Sequence, residues 1–231
     1  MLFMNARWPA LIACSLILTG CAGMQNPQKA NLAHCTNQIK ASKAENYPLA
    51  LQEGDLCLQK NTLPASLESL IYAVQADAHS NLKHFPEAVA AKEKSIQLEA
   101  KPDARANLDL SSMYRDAGNP KKALELVQYN LDNGLGEAGK GSGFHMPTYY
   151  HQGLALTDLG QYREAAEAFS TGLERQADYA WAYYERGIAY DHLGDKDGAK
   201  ADFMKFSQIV NKKYVREEHK AKLAEYKISM P

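Results

Sequence analysis

Two stretches of the chain nearly superimpose: 149-YYHQGLALTDLGQYREAAEAF-169 and 183-YYERGIAYDHLGDKDGAKADF-203. Gly153 pairs with Gly187, Gly160 with Gly194, Ala165 with Ala199 and Phe169 with Phe203, each at an offset of 34 residues. A constant offset held over glycine, alanine and aromatic positions marks a repeated supersecondary unit. Such a unit buries its apolar face only against its neighbours, so copies must stack.

The period and the pattern resemble the tetratricopeptide repeat, a helix–turn–helix unit. Its pattern falls on Tyr149, Gly153, Leu156, Gly160, Tyr162, Ala165 and Phe169 in the fourth repeat. In the fifth it falls on Tyr183, Gly187, Tyr190, Gly194, Lys196, Ala199 and Phe203, where Lys196 departs from the usual aromatic. The small residues let two helices approach and the large ones fill the space beside them. The second glycine of each unit ends the first helix and turns the chain. Upstream, the third repeat keeps Leu110, Ser111, Tyr114, Gly118, Pro120, Ala123 and Val127. The second keeps Tyr72, Ala76, Phe85, Pro86 and Ala88; the first keeps Tyr47, Pro48, Ala50 and Leu58. The resemblance implies an all-α right-handed solenoid of about five helix pairs over residues 31–213. Residues 214–231 are expected to form a helix that caps the last apolar face.

Composition agrees with helix, being rich in alanine, leucine, lysine and glutamate and lacking long Val/Ile/Thr alternation. A net charge of −1 gives no electrostatic basis for a nucleic-acid partner. The N-terminus reads separately. The apolar run 8-WPALIACSLIL-18 is too short to span a bilayer and has the form of a signal-peptide core. It leads into 18-LTGC-21, which resembles the lipobox of bacterial lipoproteins. That resemblance implies that residues 1–20 are removed and that Cys21 is lipidated, with residues 21–30 as a tether. Several acyl chains give a stable anchor. Ala22, where an Asp would favour inner-membrane retention, points to the periplasmic face of the outer membrane, with no other membrane contact expected.

In that oxidising compartment Cys35 and Cys57 are free to pair. In the repeat frame they fall near positions 5 and 27, which face each other in an antiparallel helix pair. A disulfide there would add about 3 kcal/mol; two buried thiols are the alternative. The stretch 134-GLGEAGKGSG-143 fits seven positions of a phosphate-binding G-x-x-x-x-G-K loop, but Gly141 replaces the required Ser or Thr. The segment before it reads as a helix rather than a strand, and repeats three and four stand 42 residues apart rather than 34. The stretch therefore reads as a loop insertion at 133–146. No H-E-x-x-H, C-x-x-C or G-x-S-x-G occurs, so no cofactor, metal or catalytic residue is assigned and no enzyme is indicated. The pair His145 and His151 is the nearest thing to a metal site.

In the family that the repeats resemble, the ligand groove is lined by recurring positions of the first helix of each pair. Carried over, these are Arg105, Leu108, Ser112, Arg115 and Asp116; Pro147, Tyr150, Leu154, Thr157 and Asp158; and Trp181, Tyr184, Ile188, Asp191 and His192. Aromatics beside charges suit an extended peptide or a partner helix. The expected function is a lipid-anchored periplasmic scaffold that holds a protein or peptide partner. It would serve envelope, pilus or secretion assembly, or control of a peptidoglycan enzyme. A periplasmic inhibitor or immunity protein is the alternative, and a nucleotide-binding enzyme a more distant one.

Overall fold

The structure is a computed structural model that describes residues 27–59, 63–99, 104–135 and 145–230. The signal segment, the lipobox with Cys21, and residues 136–144, which include most of the glycine-rich stretch, lie outside the described residues.

Helices come in antiparallel pairs: α1 (Pro27–Lys43) with α2 (Tyr47–Leu58), α3 (Ala65–Asn81) with α4 (Phe85–Gln97), α5 (Ala104–Asp116) with α6 (Pro120–Asp132). Then follow α7 (His145–Asp158) with α8 (Tyr162–Arg175), and α9 (Ala180–His192) with α10 (Lys196–Ile209). No strand occurs among the described residues. Helix α1 starts at Pro27, so residues 27–30 of the expected tether are helical; proline suits a first turn, where its missing N–H costs nothing. The C-terminal helix is shorter than expected. A 3-10 turn at Lys212–Tyr214 and extended backbone at Val215 and Arg216 precede α11 (Glu217–Glu225).

Local chemistry explains the turns. Each pair turns on a residue with positive φ: Glu45, Lys83, Gly118, Gly160 and Gly194. Glycine adopts that conformation without a Cβ clash, whereas Glu45 and Lys83 bear the strain in the two most divergent repeats. Side chains of Asn46, Asn119 and Asp195 then accept from the backbone N–H of Leu49, Lys122 and Gly198, which opens α2, α6 and α10. At the crossing of each late pair a glycine meets a ring. A Cβ on Gly153 would stand 2.5 Å from Phe169, and one on Gly187 2.7 Å from Phe203. Both phenylalanines are fully buried.

The core is a string of small clusters, as a stacked array requires. Cys35, Cys57 and Ile71 form the first, and Cys35 and Cys57 are joined by a disulfide with Cα atoms 5.0 Å apart. Phe169, Met146, Leu156 and Leu173 form a central cluster. Phe203, Phe206, Tyr184 and Leu223 close the C-terminal end. Buried polar links stitch the layers together. Asn107 donates to Asn130 at 2.7 Å, and Asn130 donates to the Ala104 carbonyl at 3.0 Å. Arg186 forks onto Asp202 at 2.7 and 2.8 Å and reaches Ser170 at 2.9 Å, tying α9 to α10 and α8.

Candidate functional site

The first helices of successive pairs touch along the inner face of the solenoid, α5 against α7 and α7 against α9. At the C-terminal end of that face a cleft of about 580 Å³ opens between α7, α9 and the segment after α10. Tyr150, Trp181, Glu185, Lys213, Tyr214, Arg216 and His219 line it. Two of its aromatic walls, Tyr150 and Trp181, are held in place. The Tyr150 ring lies 5.2 Å from that of Tyr179 and 5.9 Å from that of Phe169. Trp181 packs 5.1 Å from Phe206 and 4.9 Å edge-on to His219. The His219 ring in turn accepts from the Arg216 backbone N–H at 3.0 Å, which sets its orientation. Tyr214 is exposed at the mouth.

Glu185 is the unusual member. Burial, with the Asp158 carboxylate adding to it and Arg115 opposing, pushes its carboxyl up to about 7. Among the described residues it has no hydrogen-bond or ion-pair partner. The nearby charges are already engaged. Arg115 forks onto Asp158 at 2.5 and 3.3 Å, bridging α5 and α7. Lys92 is 3.1 Å from Asp109. Between these pairs lies His151, pushed down to about 4 by burial and then by Arg115, with its Nδ1 buried and unpartnered. Asp77 and Asp116, though exposed, are also raised by partial desolvation, helped by Asp109 and Asp158 respectively.

Of the groove residues expected from sequence, Tyr150 and Trp181 line the cleft and Arg115 with Asp158 forms its neighbouring ion pair. Arg105 is exposed on α5. The other expected groove positions do not line this cleft. Tyr184 is 8% exposed, packed between Phe203 and Phe206 of α10 and His219 of the segment that returns after it, and Leu108 is 3% exposed. Leu154 and Ile188 are partly buried and pack against the central and C-terminal clusters. Asp191 accepts hydrogen bonds from Lys196, from Lys222 at 2.6 Å and from Tyr226, so the C-terminal segment covers it. His192 stacks on Tyr162 at 4.0 Å, near the turn of its own repeat.

Sequence reasoning passed over Glu185 and His151 on the inner face. A trace existed: they are the third letters of the two aligned stretches, after a shared Tyr-Tyr. One helical turn either side of Glu185 stand Trp181 and Ile188, so spacing alone places Glu185 on the same stripe. Lys213, Tyr214, Arg216 and His219 could not be found this way, since they follow the last repeat and fold back onto it.

Among the described residues, no cluster of three or more His, Cys, Asp or Glu side chains could hold a metal ion. The His145 side chain lies outside the described residues, so its pairing with His151 does too. No helix among the described residues is long and apolar enough to cross a membrane.

Comparison with known proteins places the fold. Residues 153–194 match a family described as TPR repeat, and residues 182–209 one described as tetratricopeptide repeat. No curated protein matches the chain. A crystal structure of MamA protein is similar at 17% identity and a TM-score of 0.62, over 88% of this chain and 98% of that one. YrrB, described as a TPR protein with an unusual peptide-binding site, is similar at 18% identity and a TM-score of 0.60, over 88% and 99%. At these identities the likeness shows the fold. The chain carries tetratricopeptide repeats and folds as an all-α solenoid of them.

Proposed function

We propose that this tetratricopeptide-repeat chain is a binding scaffold that holds an extended segment of a protein partner on its inner face. The cleft between α7, α9 and the segment after α10 is the principal contact. The observation that carries this reading is the cleft itself: fixed aromatic walls at Tyr150 and Trp181 around a carboxyl, Glu185, that no described residue satisfies. Buried aromatic anchors are where binding energy concentrates in such contacts. A solenoid presents this kind of elongated inner surface by construction. The peptide-binding site named for YrrB supports the same use of the fold. The role is binding rather than catalysis.

The setting we propose is the periplasmic face of the outer membrane, with lipidated Cys21 as the anchor. Partner capture would then occur within tether reach of the bilayer, in envelope or appendage assembly or in control of a cell-wall enzyme.

A photocrosslinking amino acid, p-benzoylphenylalanine, in place of exposed Tyr214 tests the site in cells. Capture of a discrete partner is expected from Tyr214 and not from the same probe at Met204, an exposed residue on α10. Equal capture at both positions would remove the cleft from the argument. In the same cells, Cys21→Ser is expected to abolish palmitate labelling and release the chain from membranes.

A further inference from the structure

The inner face has a charge pattern that narrows what the scaffold would hold. Asp77 on α3, Asp116 on α5 and Glu185 on α9 each lack a hydrogen-bond or ion-pair partner among the described residues. Each also feels a neighbouring carboxylate: Asp109 beside Asp77, Asp158 beside both Asp116 and Glu185. The facing cations are committed elsewhere, Lys92 to Asp109 and Arg115 to Asp158. His151, between them, is held neutral. Asp77 and Asp116 are exposed to water, so the unsatisfied acid of this face centres on half-buried Glu185.

Glu185 supplies what an acidic row does not by itself provide. Its side chain is half-buried in the wall of a cleft beside the rings of Tyr150, Trp181 and Tyr214. An ionised carboxyl without a partner is costly in such a place, and an incoming cation would relieve it. Aromatic faces around the carboxyl add attraction for the same cation. The wall contributed after α10 sets a limit. Arg216 is 3.2 Å from Glu218, and Lys213 lies over the Tyr214 ring at 5.7 Å. Their charge opposes a ligand that is cationic throughout and favours an acidic residue beside the seated cation.

We propose that the inner face holds a segment in which a lysine or arginine side chain seats against Glu185, next to an acidic residue that faces Lys213 and Arg216. This rests on the scaffold reading above and names the chemistry of its ligand.

From Cys21 onward Trp181 is the one indole of the chain, a reporter in the cleft wall. The probes are N-acetylated, C-amidated heptapeptides of glycine and serine with a central Lys-Glu pair, and the same peptide with norleucine in place of lysine. The lysine peptide is expected to shift Trp181 emission. Norleucine, or Glu185→Gln in a chain of unchanged helical circular dichroism, is expected to weaken binding about tenfold or more, as is added salt. The inference is overturned by binding that survives Glu185→Gln, by equal binding of the norleucine peptide, or by no response to the lysine peptide at millimolar concentration. Should Tyr214 crosslinking still capture a partner in any of these cases, the scaffold reading stands and only its cationic ligand falls.

Discussion

Glu185 shows how one side chain records a competition between burial and charge. Its carboxyl ordinarily titrates near 4.5; in the fold it titrates near 7. Between those values the folded chain holds a proton that the unfolded chain has lost, so stability falls as pH rises through that window. Above about 7 the cost is fully present; below about 4.5 it is absent. Glu185→Gln removes it. The variant is therefore expected to match the parent near pH 4 and to exceed it by about 2 kcal/mol near pH 8, a figure set below the full shift because the side chain keeps some solvent exposure. Urea denaturation at the two pH values reads this directly. A variant less stable than the parent at the higher pH would mean that the carboxyl has a partner in solution. At the same scale, Gly153 and Gly187 were readable in advance, because a repeated small residue opposite a repeated Phe implies close approach. Glu185 was less so, since an exposed charge and a cleft carboxyl look alike in a string of letters.

At the scale of elements, the C-terminal helix α11 is held to α9 by few groups. Leu223 is fully buried in the terminal cluster, and Asp191 gathers Lys196, Lys222 and Tyr226. Burial by itself would raise the Asp191 carboxyl, but those three hydrogen bonds outweigh it and hold it well below the usual carboxylate range. Its contribution is thus fully present above ordinary carboxylate pKa values, declines as pH falls below them, and is gone only in strong acid. Asp191→Ala is expected to cost about 1–3 kcal/mol and to speed amide exchange in α11 while leaving α5 to α8 protected. Uniform acceleration along the chain would show that α11 is not a separately held element. The sequence placed a polar-faced cap after the last repeat. Its 3-10 turn and short helix were not visible there, because they are shaped by docking onto Trp181, Tyr184 and Phe206 rather than by local periodicity.

Over the whole molecule, contacts run between neighbouring pairs, and damage should stay local. The Cys35–Cys57 disulfide closes a loop within the first pair. Its removal, by reduction or by Cys35→Ser with Cys57→Ser, is expected to cost about 3 kcal/mol in that pair. Hydrogen exchange should rise in α1 and α2 and stay unchanged in α7 to α10; loss of protection throughout would show instead that the array unfolds as one unit.

The sequence by itself determined the repeat, its phase and the turn glycines. These follow from steric rules that act within a few residues or at a fixed period, and such rules leave a mark in every copy. Of the loop it placed at 133–146, His145 and Met146 instead open α7, with Met146 buried in the central cluster. Tertiary structure alone decided which side of each first helix is open. Tyr184 and Asp191, though at groove positions by register, are sealed because the chain beyond α10 returns across them. Glu185, one residue from Tyr184, is left in a cleft whose opposite wall comes from that same returning segment. The difference is a matter of distance along the chain: a period constrains neighbours, while the cleft is assembled from residues as far apart as Tyr150 and His219.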